Sequence, residues 1–199
     1  MDRPQERIGI FGGTFDPVHS AHLDVADAVR SALGLSTVLL MVANDPWQKH
    51  DGRVLTPAED RFAMVEAAAA DRPGLEPSRL EIDRGGPTYT IDTVRQLLHD
   101  RPGADLVLVV GSDVVPGLTT WRDEPVLRTL VTLAVVGRPG APAVALPPGW
   151  TGVTVPSAPF DVSSTGLRER LESGREVDGL VPDAVIRCIE ERGLYATRR

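Results

Sequence analysis

An α/β fold, doubly wound around a mainly parallel sheet and with a small helical part at the C-terminal end, is predicted by three features of the chain. Short β-rich apolar runs alternate with amphipathic helical segments, the pattern of strand–helix–strand units with right-handed crossovers. The run Val38-Leu39-Leu40-Met41-Val42 is apolar at every position, as in a strand covered on both faces of a parallel sheet. No repeat of about 20–50 residues and no low-complexity tail interrupts the alternation.

Arg7–Phe11 reads as the first strand and runs into Gly12-Gly13. A helix from about Val18 to Leu33 follows, then a second strand, Thr37–Val42, and a loop over Ala43–Leu55. Thr56, Pro57 and Glu59 have the spacing of an N-cap, a first-turn proline and a capping-box acid. They predict a helix to about Ala70 with Phe62, Val65 and Ala69 facing inward. Leu75–Ile82 reads as a strand of mixed polarity, Arg84-Gly85-Gly86-Pro87 as a loop and Thr90–His99 as a helix. Asp105–Val110 and Leu130–Val136 are buried strands that end at Gly111-Ser112-Asp113 and Gly137-Arg138-Pro139-Gly140. The stretch 139–149, rich in proline, glycine and alanine, reads as an exposed connection, and Val153–Val155 as a short strand. Two helices close the chain, Ser164–Ser173 and Pro182–Arg192, with Gly193 past the end of the second.

The 199 residues fit one domain, 1–199, whose portion from about 157 onward is helical. With 28 acidic against 21 basic residues, the net charge of −7 argues against general adhesion to nucleic acid or to an anionic membrane. One cysteine, Cys188, allows no internal disulfide and no thiolate metal cluster, and reads as a small buried hydrophobe. No apolar run approaches the ~18–20 residues of a membrane span, and the polar Met1–Arg7 segment lacks the apolar stretch of a secretory signal. The expectation is a cytoplasmic protein.

In a doubly wound sheet, ligands collect beyond the carboxyl ends of the strands. That directs attention to Gly12–His22, Ala43–His50, Arg84–Thr90, Gly111–Asp113 and Gly137–Gly140. The first is the most informative. Two adjacent glycines let backbone approach a ligand, and a helix N-terminus behind them adds positive potential. His19 and His22, three residues apart at the helix start, share a face. Two imidazoles beside a backbone anion nest make a site for a phosphate chain. The glycine spacing is not that of a dinucleotide-reductase fingerprint, and no lysine-bearing P-loop is present. The histidine pair could also begin a zinc site, but no third ligand stands at a suggestive spacing.

The segment Gly12-Gly13-Thr14-Phe15-Asp16-Pro17-Val18-His19-Ser20-Ala21-His22 resembles the (H/T)xGH-type nucleotidylyltransferases, and within them the nicotinate-nucleotide adenylyltransferase branch. Further matches follow in the family's order: Asn44-Asp45-Pro46-Trp47-Gln48-Lys49, Gly86-Pro87-Thr88-Tyr89-Thr90-Ile91-Asp92-Thr93, Gly111-Ser112-Asp113, Trp121, and Val162-Ser163-Ser164-Thr165-Gly166-Leu167-Arg168. The resemblance implies a Rossmann-like nucleotidylyltransferase fold whose C-terminal helical portion completes the ATP site. The implied reaction is nicotinate mononucleotide plus ATP giving deamido-NAD and pyrophosphate, a step of NAD biosynthesis.

The roles that follow are implied by the matching positions. Gly12, Gly13, Thr14 and Phe15 supply backbone contacts to the phosphates, His19 and His22 stabilise their charge, and Lys49 reaches the triphosphate. Ser164, Thr165 and Arg168 grip the β,γ-phosphates. Gly111 and Asp113 hold the ribose or adenine, Asp113 serving ribose hydroxyls or a Mg²⁺ water, and Arg138 lies near the adenine. At the pyridine end Trp121 stacks on the ring, backbone amides around Tyr89 and the Thr90 hydroxyl receive the carboxylate, and Asn44 and Trp47 line the loop. His50 and His99 read as surface residues. Mg²⁺ enters with the triphosphate rather than through a ligand cluster.

Val42 stands where the family often has proline, and Ala43 and Asp45 are atypical. The charge of Asp45 would disfavour a carboxylate-bearing ring, which leaves the choice between acid and amide substrate open. Oligomeric state is open too, a homo-oligomer included. The alternatives are adenylyl transfer to another phosphate, such as nicotinamide mononucleotide, or a non-catalytic nucleotide-binding module.

Overall fold

A computed structural model of the chain describes residues 6–46, 54–137, 144–156 and 162–195. Side-chain alternation along the strands accounts for its layers. In β2 (Thr37–Val42) every residue is buried, because Val38, Leu40 and Val42 enter one core while Leu39 and Met41 enter the other. The same division holds in β4 (Asp105–Gly111), where Val107 and Val109 oppose Leu106, Leu108 and Val110. With β1 (Arg7–Gly13), β3 (Leu75–Ser78), β5 (Thr132–Gly137) and β6 (Gly152–Pro156), these strands form one sheet, parallel throughout, in the order β3-β2-β1-β4-β5-β6. The fold class read from the sequence is the one observed.

Helices cover both faces. α1 (Ser20–Leu33) and α2 (Ala58–Ala69) place Leu23, Ala26, Val29, Phe62, Met64 and Val65 in the first core. α4 (Thr90–Asp100) and α5 (Glu124–Leu130) place Ile91, Val94, Leu97 and Leu127 in the second. At the C-terminal end, α6 (Ser164–Glu172) and α7 (Asp183–Glu191) add Leu167, Val185 and Ile189 to the first core. Burial of side chains of this size contributes about 1.5–3 kcal/mol each, so the C-terminal helices are anchored by the core that carries the sheet. No helix among the described residues is long and apolar enough to cross a membrane.

Three local expectations are corrected. The strand expected over Leu75–Ile82 stops at Ser78, and Leu80–Arg84 forms a short helix, α3. Pro77 carries no N–H and is tolerated because β3 is an edge strand. Thr56 does not cap α2: Pro57 holds the cap position without a side-chain bond, and the Thr56 carbonyl instead accepts from Arg61 Nε at 2.8 Å. Leu130 ends α5 instead of opening β5, which starts at Thr132. That helix and a 3₁₀ turn over Val115–Thr120 had no sequence signal, being too short for an amphipathic period.

The chain runs from β1 to β2 and β3 on one side, then returns to lay down β4, β5 and β6 on the other. The switch point therefore lies between β1 and β4, and the crevice beyond their carboxyl ends is where a ligand fits.

Candidate active site

The bend after β1 forms one wall of that crevice. Phe15 sits at φ +51° and is almost wholly buried, its ring turned back on Gly13. A Cβ on Gly13 would lie 2.8 Å from the Phe15 ring, so this glycine makes room for the bend's own packing. A Cβ on Gly12 would meet nothing within 4 Å, so this glycine leaves space toward the cleft, the role expected of both. Thr14 is buried, and its carbonyl accepts from Arg61 Nη1 at 2.7 Å. Arg61 is itself 1% exposed and also donates from Nη2 to the Asn44 carbonyl at 3.1 Å, tying the bend to the loop after β2.

His19 and His22 stack with ring centroids 3.6 Å apart. The backbone N–H of His19 donates to His22 Nδ1 at 3.2 Å, which leaves the ring hydrogen of His22 on Nε2. Edge contacts with Phe15 at 5.1 Å and Phe11 at 6.1 Å hold the ring in place. His19 is buried, and its Nδ1 has no hydrogen-bond partner among the described residues. Burial lowers its pKa from 6.5 to about 4. Near neutral pH it is a neutral N–H donor, not an imidazolium.

A pH dependence of stability follows. The folded chain keeps the His19 ring neutral down to about pH 4, whereas the unfolded chain takes up a proton below 6.5. The contribution is complete above pH 6.5 and is lost as pH falls toward 4, at up to about 1.4 kcal/mol per pH unit. His19→Asn should flatten the fall in thermal midpoint between these pH values. Equal slopes for variant and parent would refute the assignment.

The second wall is C-terminal. Ser164 donates to the Pro17 carbonyl at 3.0 Å. Arg168 donates from Nη1 to the Asp16 carbonyl at 2.6 Å and from Nη2 to Thr165 Oγ1 at 3.0 Å. The Tyr195 hydroxyl donates to Asp16 Oδ1 at 2.6 Å, and burial together with that bond pushes its pKa upward. Ser163 caps α6, accepting from the Gly166 N–H at 3.2 Å. The Ser20 N–H, first in α1, donates to the Leu180 carbonyl at 3.0 Å and so is not offered to a ligand.

Beyond β4, Gly111 allows the Asp113 side chain to fold back where a Cβ would collide with it. Trp121 is partly buried against the second core together with Tyr89. The guanidinium of Arg122 lies 4.7 Å above the Tyr89 ring. Glu81 is buried and accepts from Thr93 Oγ1 at 2.6 Å, and burial raises its pKa. The bend from Gly12 to Asp16, the two histidines, the start of α6, Asp113, Tyr89, Trp121, Arg122 and Glu81 meet around one cleft of about 810 Å³.

The cleft is lined by Gly12, Gly13, Thr14, Phe15, His19, His22, Tyr89, Thr90, Gly111, Asp113, Trp121, Ser164, Thr165 and Arg168, which are most of the residues singled out from the sequence. Asn44 is not in the lining: its side chain donates to the Gly86 carbonyl at 3.0 Å and its N–H to Thr88 Oγ1 at 3.1 Å, so it braces a loop. Asp45 is not in the lining either, and its carbonyl accepts the Thr88 N–H at 2.9 Å. Trp47, Lys49, His50 and Arg138 lie outside the described residues. Cys188 is buried, as expected.

Sequence reading missed Arg61, Glu81, Arg122 and Tyr195. Only Arg61 had a usable signal. Its spacing to Met64, Val65 and Ala68 puts it on the inward stripe of α2, where an arginine needs partners. Around the open bend the site offers N–H donors, hydroxyls and the tethered Arg168 guanidinium, while Arg122, Glu81 and Asp113 line the rest of the cleft. Such a set can neutralise and align a chain of phosphates without supplying a base.

A family model described as cytidylyltransferase-like matches residues 10–170. The chain is similar to a probable nicotinate-nucleotide adenylyltransferase of Roseiflexus sp., 45% identical over 197 residues covering 94% of this chain and 97% of that one. A probable nicotinate-nucleotide adenylyltransferase of Corynebacterium kroppenstedtii is 42% identical over 192 residues, covering 95% and 90%. Among solved structures, Plasmodium falciparum nicotinic acid mononucleotide adenylyltransferase complexed with NaAD has a TM-score of 0.76 at 17% identity, over 96% of this chain and 98% of that one, a likeness of fold.

Proposed function

The chain belongs to the cytidylyltransferase-like family, and on that premise we propose that it is a nicotinate-nucleotide adenylyltransferase, transferring the AMP moiety of ATP to nicotinate mononucleotide and releasing pyrophosphate. The observation that carries the mechanism is the stacked pair His19 and His22 beside the open bend at Gly12, in the same cleft as Trp121 and Thr90. One cleft thus offers both a phosphate end and a flat aromatic end.

The nucleophile is a phosphate oxygen of the mononucleotide, already ionised at neutral pH. It forms a bond to the α-phosphorus as the bond from that phosphorus to the β-phosphate bridging oxygen breaks. No proton has to be removed, so the protein's work is alignment and charge stabilisation. His22 Nε2–H and His19 donate to the phosphoryl oxygens, and Arg168 with Thr165 holds the departing pyrophosphate. Asp113 serves the ribose hydroxyls or the water shell of Mg²⁺. A Mg²⁺ ion would enter with the triphosphate, held chiefly by its phosphate oxygens and waters. The net charge of −7 is no obstacle, since donors in contact outweigh screened distant charges.

Pyrophosphate release with ATP and a panel of phosphate acceptors tests the reading: nicotinate mononucleotide should be turned over best. Binding of ATP without turnover of any acceptor would favour the non-catalytic module. In the same assay Trp121→Ala should raise KM for the pyridine mononucleotide several-fold more than KM for ATP, as expected for loss of one aromatic stacking partner. Equal changes in both would rule out stacking by Trp121.

A further inference from the structure

We propose that Arg122 is a specificity residue of this cleft, its guanidinium selecting a pyridine mononucleotide that bears a carboxylate over one that bears a carboxamide; the inference rests on the adenylyl-transfer reading above. Its position is fixed on both sides. The Trp121 N–H donates to the Leu118 carbonyl at 3.1 Å, and the Trp121 carbonyl accepts from the Glu124 N–H at 3.2 Å. Arg95 to Asp123, at 3.1 Å, ties the same turn to α4. The turn therefore holds Arg122 next to Trp121 in the cleft wall, and its guanidinium lies 4.7 Å above the Tyr89 ring, where α4 begins.

Arg122 lines the cleft at its aromatic end, away from the bend that Arg168 grips. Its ionic neighbour is Asp92, at 3.7 Å, longer than a hydrogen bond, and the Arg122 side chain is 55% exposed. Arg122 thus stands in the cleft wall with that partner at ion-pair distance only, its planar N–H fork of the kind that takes a carboxylate from a ring resting on Trp121. The acids of the lining do not cancel it. Asp16 is bound by the Tyr195 hydroxyl, Glu81 by Thr93, and Asp113 stands at the end of β4. Asp45, whose charge was expected to repel such a ring, is outside the lining. Asp92, which pairs with Arg122 at 3.7 Å, is outside the lining too, so the cation that the cleft wall presents at the pyridine end is the Arg122 guanidinium.

The test compares kcat/KM for nicotinate mononucleotide and for nicotinamide mononucleotide, each with ATP, in the parent, Arg122→Gln, Arg122→Glu and Arg122→Lys. The acid-to-amide ratio should fall about 10–100-fold in Arg122→Gln, as for loss of a charged hydrogen-bond partner, and further in Arg122→Glu. Arg122→Lys should recover part of it, and KM for ATP should stay within about twofold throughout. A ratio unchanged in both Gln and Glu variants, with the parent active, overturns the proposal alone. A parent that releases pyrophosphate with neither acceptor overturns the adenylyl-transfer reading and this inference together.

Discussion

His22→Ala should lower kcat by about 10²–10³-fold, with a much smaller change in KM for ATP. Loss on that scale is typical of removing one donor preorganised for charge that develops in the transition state. The geometry supports such preorganisation. The Nδ1 of His22 is occupied by the His19 N–H at 3.2 Å, so the ring hydrogen on Nε2 is the one left to donate. Contacts with Phe15 and with the His19 ring remove the freedom to turn away. Ground-state ATP keeps the Gly12 bend, Thr165 and Arg168, which is why binding should survive. Steady-state kinetics with saturating nicotinate mononucleotide, beside a thermal melt, separates this from collapse of the bend. Turnover near the parent level would remove His22 from the mechanism. A melt lowered by many degrees would instead mean that the ring is needed as packing beneath Phe15.

What the sequence disclosed and withheld divides along physical lines. β2 was legible to its end residues because burial on both faces writes an uninterrupted apolar run. The pairing of His19 with His22 was legible because the two stand one turn apart at a helix start; the sequence did not disclose that His19 is the extended N-cap of α1 and that its N–H to His22 Nδ1 draws the rings together. The strand expected through Ile82 failed because mixed polarity describes an edge strand and a short helix equally well. Gly13 was read as an approach for a ligand. Its reason is the Phe15 ring, which reaches it only because Phe15 takes a left-handed backbone conformation that sequence does not announce. Asn44 carries an amide suited to a ligand but spends it on the Gly86 carbonyl, a pairing 42 residues away in sequence. Tyr195, 179 residues from Asp16, is the extreme case: only the packing of the C-terminal helices brings its hydroxyl to the bend.

Arg61→Met is the second substitution expected to act strongly, and it acts without touching substrate. The guanidinium donates from Nε, Nη1 and Nη2 to the carbonyls of Thr56, Thr14 and Asn44 at 2.8, 2.7 and 3.1 Å. Methionine fills similar space but leaves these acceptors without their donor, and it takes a cation from the neighbourhood of buried Asp16. Breaking a buried charged arrangement from one side costs about 3–5 kcal/mol. For a chain of this length that lowers the thermal midpoint by roughly 6–20 °C. Burial lowers the Arg61 pKa, with the nearby Asp16 and Tyr195 opposing that shift only in part; a guanidinium is nonetheless never deprotonated in a protein, so a cation is what the three carbonyls face. Arg61→Lys should recover only part of the loss, since one ammonium cannot face three carbonyls set at the three corners of a planar fork. Because Thr14 and Asn44 belong to the loops after β1 and β2, kcat should fall in step with stability in both variants. A midpoint shift under about 2 °C for Arg61→Met would mean that water replaces the guanidinium and that the two loops are held by their own packing.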